Sequence, residues 1–482
     1  MNIIDEETDI EITEEYQQVK EAIDFYRQPI FVTGQAGTGK STLIQWLTTK
    51  YGDIPVVAPT GVAAQNVGGQ TIHSFFMFPP HILNPKDIKP SRNWELFNDM
   101  RILIVDEVSM VRADMMDNIN ESLRINRRKN LPFGGVKIIF IGDLFQLSPI
   151  VKNSDPIERQ YLSQYQTPLF MSSHIIKSIG IKTIELTKVF RQKDIDFIQL
   201  LSNIREGKNL PDTIKVFNTQ YDPWAGIRKD TKIIKLTTTN ALADNINESE
   251  LAAIESPEFT YIGEVGGNFK QDRFPAPLHL KLKVGARVMF IKNDLGKKFV
   301  NGSTGTVTTL TEDQIWVTID GWDAPIKVDK ESWESIKYVW KKKEKTIDVA
   351  ASLEAKLKQF ELDLPAAPLP VSPLQENVSD DVVEELSKGE ISHEVTGQYR
   401  QYPITPAWAV TIHKSQSKTF DAVNVIIDGN IFADGQLYVA LSRCRTLKGI
   451  SLSRPINPND ILINKDVVNF YDGIRKRAEV LG

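Results

Sequence analysis

Cysteine is almost absent from this chain: Cys444 is the one thiol in 482 residues. No internal disulfide framework can form, and a reducing compartment suits the composition. No apolar run is long enough to span a membrane. The six histidines are scattered without zinc-ligand spacing, so no structural metal is assigned. Positive charge is not in excess, with 57 Lys and Arg against 62 Asp and Glu for a formal charge of −5. That balance argues against holding polyanions with the whole surface but leaves room for a local basic cleft. The opening Met1-Asn2-Ile3-Ile4-Asp5-Glu6-Glu7 is acidic where a signal or transit peptide is basic. A cytoplasmic protein is expected, nucleoid-associated in a prokaryotic host. The length exceeds one ordinary core and predicts about two to four domains.

What is present is a phosphate-binding loop. Gly34-Gln35-Ala36-Gly37-Thr38-Gly39-Lys40-Ser41 fits G-x-x-x-x-G-K-[ST] at every fixed position. The uncharged run Ile30–Thr33 precedes it and the helix-like Thr42–Leu47 follows. This strand–loop–helix context is what separates the motif from a fortuitous glycine-rich turn. Glycines let successive backbone N–H groups face phosphates, and the helix N-terminus adds partial positive charge. Gly37, Thr38, Gly39, Lys40, Ser41 and Thr42 are therefore candidate ATP ligands, with Lys40 reaching the β and γ phosphates and Ser41 holding Mg²⁺.

Strand candidates at Ile30–Thr33, Pro55–Ala58, Ile102–Val105 and Lys137–Ile141 alternate with helical patterns, the rhythm of a parallel sheet covered by helices. A second alternating stretch begins near Ile184, includes Lys232–Leu236 and resumes at Val423–Ile427. Between them Leu280–Ile291, Gly305–Leu310 and Gln314–Ile319 read as short strands of a small inserted antiparallel barrel. From about Lys341 to Val395 the chain carries three lysines, a helix candidate at Leu353–Leu362, prolines 365, 368, 370 and 373, and then an acidic run. That pattern reads as a mobile insertion with a helix or two rather than a dedicated binding arm. No fixed-period repeat is present.

Arg101–Glu107 is an apolar strand ending in two acids. At the C-terminal edge of a parallel sheet it would deliver Asp106 to the Mg²⁺ shell and Glu107 to the attacking water as base. The strand Ile138–Ile141 runs into Gly142-Asp143-Leu144-Phe145-Gln146, whose glutamine amide suits γ-phosphate sensing. A kinase, a GTPase or a motor would each fit these parts. Hydrolysis coupled to movement needs a cation that arrives when a second domain closes. Arg191 and Arg443 are the candidates, and Arg445 and Arg454 read as solvated or paired decoys.

The ordered set of motifs resembles the superfamily-one subgroup B DNA helicases, and most closely the PIF-one (petite integration frequency) family, relatives of the RecD-like and Dda-like helicases. Besides the nucleotide motifs it is carried by Ala58–Ala64, Thr71–Phe76, Glu107–Arg112 through Leu131–Gly135, Gly142–Pro149, Phe190–Gln192, Thr411–Gln416 and Tyr438–Arg443. The resemblance implies an α/β fold of two RecA-like P-loop domains. The first (1A) would comprise residues 1–75 and 101–185, with a wedge insertion (1B) at 76–100. The second (2A) would comprise 186–256 and 402–482, and a Src-homology-three-type barrel (2B) would occupy 257–401, including the insertion at about 341–395. It implies an ATP-dependent helicase travelling 5′→3′ on single-stranded DNA, acting on forked or tailed duplex as a monomer, with ATP and Mg²⁺. A DNA-stimulated ATPase that remodels nucleoprotein without processive unwinding shares the same motifs.

By the same resemblance Thr60, His73, Phe75, Thr239, Asn240, His413 and Lys414 would contact DNA, although Phe75 and Phe76 read equally well as core. Phe78 and the nearby prolines would form the strand-separating wedge, with core packing the alternative. Trp408 reads as a buried anchor. The runs Arg127-Arg128-Lys129 and Lys297-Lys298 read as solvated faces. The chain departs from the family where a glutamine reads adenine: Tyr16 precedes Gln17 and Gln18, so adenine would stack on Tyr16 with Gln18 nearby. Ser417 stands where the family often has glycine, and Ser148 replaces a frequent proline.

Overall fold

In the computed structural model the short apolar runs of the first third pair with one another. It describes residues 3–5, 10–52, 54–151, 155–224, 233–294, 298–342, 389–429, 431 and 433–481. A hairpin of β1 (Ile3–Asp5) and β2 (Ile10–Ile12) comes first. Then β3 (Ile30–Gly34), β4 (Val56–Ala58), β5 (Gln70–Thr71), β6 (Ile102–Val105), β7 (Lys137–Ile141) and β8 (Lys182–Leu186) form one parallel sheet. Its order is β5-β4-β6-β7-β3-β8. The central strands β3, β4, β6 and β7 are near-continuous apolar runs because helices cover both faces of the sheet, while the edge strands β5 and β8 carry polar residues. The helix Lys40–Tyr51 buries Leu43, Ile44, Trp46 and Leu47 against one face. The helix Ala113–Arg127 buries Met116, Ile119 and Leu123 in the cluster on the other.

Ile184, read as the start of the second unit, instead lies in β8 and pairs beside the phosphate-loop strand. The second sheet opens with β9 (Ile234–Thr237). The chain then leaves for a small antiparallel domain: β10 (Glu258–Ile262), β11 (Glu264–Gly267), β12 (His279–Lys283), β13 (Arg287–Phe290), β14 (Thr304–Leu310), β15 (Ile315–Ile319), β16 (Ile326–Val328), β17 (Glu331–Lys342), β18 (Gly389–Gln401) and β19 (Ile404–Pro406). It returns as β20 (Ala409–Thr411), β21 (Val423–Ile426) and β22 (Ile450–Leu452) to complete a parallel sheet ordered β20-β9-β21-β22. The five-stranded sheet β16-β15-β14-β13-β19 and the pair β10-β12 share one core, with Leu280, Phe290 and Val317 at its centre. Trp408 packs into that core as the buried anchor expected.

Three boundaries differ from those expected. The strand Ile404–Pro406 pairs with β13, so the antiparallel domain extends past 401. The insertion is shorter than 341–395, because β17 continues to Lys342 and β18 begins at Gly389, the two pairing along their whole length. Backbone pairing carries the chain through Lys341 and Lys342, and the exposed Lys341 meets Glu394 of the partner strand at 3.4 Å. The helix expected at Leu353–Leu362 and the proline cluster lie outside the described residues. Finally, the helix Lys465–Leu481 joins the first domain rather than the second: Val467 and Tyr471 enter its core, and Phe470 lies 6.2 Å from the Phe31 ring.

The wedge segment is anchored in the core by a few apolar side chains, while its prolines and most of its other residues stay exposed or half-buried. Phe78 stacks on Phe76 at 5.2 Å, and Leu96, Phe97 and Met100 of the helix Trp94–Asp99 and its cap are buried. Strand β17 docks on this region. Tyr338 inserts beside Phe75, and its hydroxyl accepts from the Val56 N–H at 3.2 Å. The Gln70 amide donates to the Ile336 carbonyl at 2.5 Å, and the Trp340 indole donates to Asp99. Arg127, read as part of a solvated basic face, instead turns inward to donate to the carbonyls of Phe97, Asn98, Met100 and Gly134.

Candidate functional site

The loop after β3 places two glycines, Gly37 and Gly39, at φ 87°, a backbone region that L side chains rarely occupy. Space demands glycine as well: a Cβ at Gly37 would lie 2.5 Å from the Arg191 Cβ, and one at Gly39 2.8 Å from the Tyr16 hydroxyl. Lys40 folds over the loop and donates to the carbonyls of Gly34 at 2.7 Å and Gln35 at 2.9 Å. Burial lowers its ammonium against the nearby Asp143 and Glu107. The Thr38 hydroxyl turns inward to the Gln35 carbonyl at 3.0 Å. Two outside residues brace the loop: Tyr438, whose hydroxyl accepts from the Ala36 N–H at 3.0 Å, and Phe190, whose N–H donates to the Gly37 carbonyl at 2.8 Å.

Strand β6 delivers Asp106 and Glu107 to a cavity of about 900 Å³ in front of this loop. Burial, then the neighbouring Glu107, push the Asp106 carboxyl up to about 8. Glu107 is also raised by burial, with Lys40 and Arg443 opposing. Glu107 adopts a left-handed backbone, φ 47° and ψ 44°, a strain of about 1–3 kcal/mol that a site geometry must over-determine. The buried Asp106 and half-buried Glu107, with the Ser41 hydroxyl on the same wall, fit a divalent cation.

After β7 the chain turns sharply, and Gln146 reaches the cavity with its amide donating to Asp143 at 3.3 Å. Asp143 is fully buried and pairs with Arg205, equally buried, at 2.9 Å. Arg205 comes from the helix Ile195–Glu206, and its guanidinium stacks on Phe145 at 4.4 Å. Opposite the acids lie Arg191 and Arg443. Arg443 donates to the Val439 carbonyl at 2.8 Å and to the Ser442 hydroxyl at 2.8 Å. Burial and then Arg191 push its guanidinium down to about 9. Arg191 donates to the Ser442 carbonyl at 3.3 Å and is pushed down to about 10 by burial. Two guanidiniums held only against neutral carbonyl and hydroxyl oxygens leave positive charge for an anion on this side of the cavity.

A separate groove of about 590 Å³ runs between the helices Gly61–Asn66 and Asn240–Ala252 and the antiparallel domain, with Lys414 and Lys418 on its wall. Beside it, Thr60 and His73 line a smaller cleft of about 230 Å³.

Comparison with known proteins places this arrangement. Residues 10–214 match the model of the PIF1-like helicases. The ATP-dependent DNA helicase PIF1 of Emericella nidulans is 32% identical over 94% of this chain, which spans 62% of that relative's length. The crystal structure of Bacteroides sp Pif1 in complex with ADP-AlF4 superposes with TM-score 0.82 at 35% identity, covering 97% of this chain and 98% of that one. The chain belongs to the PIF1-like helicase family. Bacteroides Pif1 bound to ssDNA matches less well, at TM-score 0.63 over 98% of both chains with 35% identity.

Against this family's expected positions, Lys40, Ser41, Thr42, Asp106, Glu107, Gln146, Arg191 and Arg443 converge on the one cavity with Gly37 and Gly39. Thr38 braces the loop from beneath. Gln18 does not reach the cavity and faces solvent from the helix Glu14–Phe25. Tyr16 lies on the cavity wall but is buried, sits against Trp46 at 5.8 Å, and spends its hydroxyl on the Gly39 carbonyl at 2.8 Å. In this PIF1-like chain it supports the phosphate loop. Phe75 is core, 5% exposed between Phe76, Phe97 and Tyr338, and offers no surface for a base. Thr60 and Thr239 cap their helices, accepting from Ala63 and Leu242, while Asn240 stands exposed beside Thr239. His413 is half-buried and its imidazole is lowered by burial.

Arg445, read as a decoy, lines the cavity rim but pairs with Asp421 at 3.3 Å, and Arg454 pairs with Asp460 at 2.7 Å. Sequence reasoning named Asp143 and Tyr438 only as motif members without a role, and it missed Arg205 and Lys418. Asp143 stood three residues from Gln146 and was legible as a motif neighbour, whereas Arg205 sits in a helix with no local signal.

Proposed function

We propose that this chain is an ATP-dependent DNA helicase that translocates 5′→3′ on single-stranded DNA and unwinds forked or tailed duplex. The observation that carries the reading is a single cavity in which a phosphate loop, paired acids and a polar sensor from one α/β domain face Arg443 from the other. The family supports it, since the relatives carry the name ATP-dependent DNA helicase and a neighbour was crystallised on ssDNA. Travel direction rests on the family likeness alone.

The chemistry follows from the residues. Backbone N–H groups of the glycine loop and Lys40 would hold the β and γ phosphates, releasing the lysine from its present carbonyl partners. Ser41 and Asp106 would hold Mg²⁺, which when bound screens phosphate charge. Glu107, raised by burial, takes the proton of the attacking water. Arg191 and Arg443 face the charge that develops on the γ-phosphoryl group, and Gln146 senses its presence. Because Arg443 belongs to the second α/β domain, phosphate occupancy alters how tightly the two domains hold together. A groove between them would change its grip on DNA in step.

The test uses duplexes with a single 5′ or 3′ tail. Strand separation should need the 5′ tail, ATP and Mg²⁺, and Glu107→Gln should bind ATP yet turn it over slowly. Separation only from 3′ tails reverses the polarity. Hydrolysis without separation on either duplex points to a translocase that remodels nucleoprotein. Near-normal single-turnover hydrolysis by Glu107→Gln removes it as the base.

A further inference from the structure

The loop between β20 and β21 is a partition. On one side Ser417 and Thr419 line the nucleotide cavity; on the other Lys414 and Lys418 line the groove. The Lys418 side chain and backbone therefore face different sites. Its carbonyl lies 3.5 Å from the Arg443 guanidinium, beside the Ser415 carbonyl at 3.4 Å. Its stem is closed over by the turn at Gly302, where an added Cβ would come within 3.3 Å of the Lys418 Cβ.

The ammonium of Lys418 is oddly placed for a structural lysine. Among the described residues its ammonium meets only the Met289 sulfur, at 3.9 Å, and pairs with no carboxylate. Asp244, an acid on the same groove, is exposed on the helix across from it and makes no ion pair with it. Burial and then Lys414 push the ammonium down to about 8. Holding a half-buried ammonium at the groove wall without a counter-charge costs free energy that packing alone does not return, since an apolar side chain of similar length fills the same space more favourably. Such a charge is explained by an anion that arrives from outside. The neighbouring groove is large enough for a strand, and of its other two lysines Lys414 is exposed while Lys292 pairs with Glu331 at 2.8 Å.

We propose that Lys418 is a ligand for a backbone phosphodiester of single-stranded nucleic acid in this groove, a contact additional to those of the recognised motifs. It rests on the reading of the groove as the strand site. By its carbonyl the same residue abuts Arg443, so the phosphate contact sits one residue's width from the nucleotide cavity.

The experiment is a salt titration of oligo-dT binding by fluorescence anisotropy, with wild type, Lys418→Met, Lys418→Gln and Lys418→Arg. Each single-strand phosphate contact contributes about 0.7 to the slope of log Kd against log salt. Met and Gln, which keep the length without the charge, should each lower the slope by about that amount, while Arg should retain it. Circular dichroism melting checks that each variant is folded, and the pair of neutral variants guards against one failing. An unchanged slope in both neutral variants overturns the proposal, as does loss of slope in Lys418→Arg. If wild type itself binds oligo-dT without salt dependence, the strand-groove reading falls first, a result separable from the other two.

Discussion

Arg205→Met tests the buried joint between the two α/β domains. Both members of the Arg205–Asp143 pair are 0% exposed. The guanidinium meets Asp143 through Nη2 at 2.9 Å and Nε at 3.2 Å, and it also lies 3.2 Å from Glu206. Methionine fills the slot between the Phe145 and Tyr471 rings, which lie 4.4 and 5.4 Å from the guanidinium, so little cavity results. What is lost is the charge. Asp143 is left with the Gln146 amide at 3.3 Å and the Phe145 N–H at 3.2 Å, too little to solvate a sequestered carboxylate. Removing one partner of a buried pair costs about 3–5 kcal/mol, and at about 2–4 °C per kcal/mol the unfolding midpoint should fall by roughly 6–20 °C. Asp143→Asn in the Met background removes the orphan charge and should restore about 2 kcal/mol or more. Calorimetry on the four proteins of this double-mutant cycle measures both terms. A single-variant shift below about 2 °C, or strict additivity, refutes the account. Because Asp143 also holds Gln146, ATP turnover in Arg205→Met should fall in kcat more than in KM.

Tyr16→Phe deletes the hydroxyl bonded to the Gly39 carbonyl but leaves the ring against Trp46. Losing one hydrogen bond of about 0.5–1.5 kcal/mol should weaken nucleotide binding roughly 2- to 10-fold, equally for ATP and GTP. A changed base preference in fluorescent-nucleotide titrations would show instead that the ring reads adenine. Burial would raise Glu206, but hydrogen bonds from Arg475 and Lys208 outweigh it and hold the carboxyl at about 2. A depressed folded pKa means this stability is present above the unfolded value of about 4.3 and is lost as pH falls from there towards 2. Pepsin cleavage of the helix Lys465–Leu481 across that window should therefore begin at higher pH in Arg475→Gln. Matching profiles would remove the Glu206–Arg475 contact as its acid-sensitive tie.

The sequence alone determined the local chemistry of the nucleotide site. The phosphate loop, the paired acids and Gln146 lie in short windows whose spacing is dictated by backbone geometry, and strand–loop–helix periodicity places them at one sheet edge. Arg191 and Arg443 were legible as residue types but not as neighbours. Only the tertiary structure decided that Phe75 and Phe78 are core, because aromatic residues suit a base or a core equally well and burial depends on what packs opposite. Here that partner is Tyr338, 263 residues along the chain from Phe75 in a strand of another domain. The same holds for the helix Lys465–Leu481, which docks on the first domain through Tyr471 and its 2.5 Å contact with Thr33. Arg205 and Lys418 carry no local pattern at all. Their roles come from long-range burial: one guanidinium meets a carboxylate there and one ammonium does not, and that difference is a property of the folded environment rather than of any window of sequence.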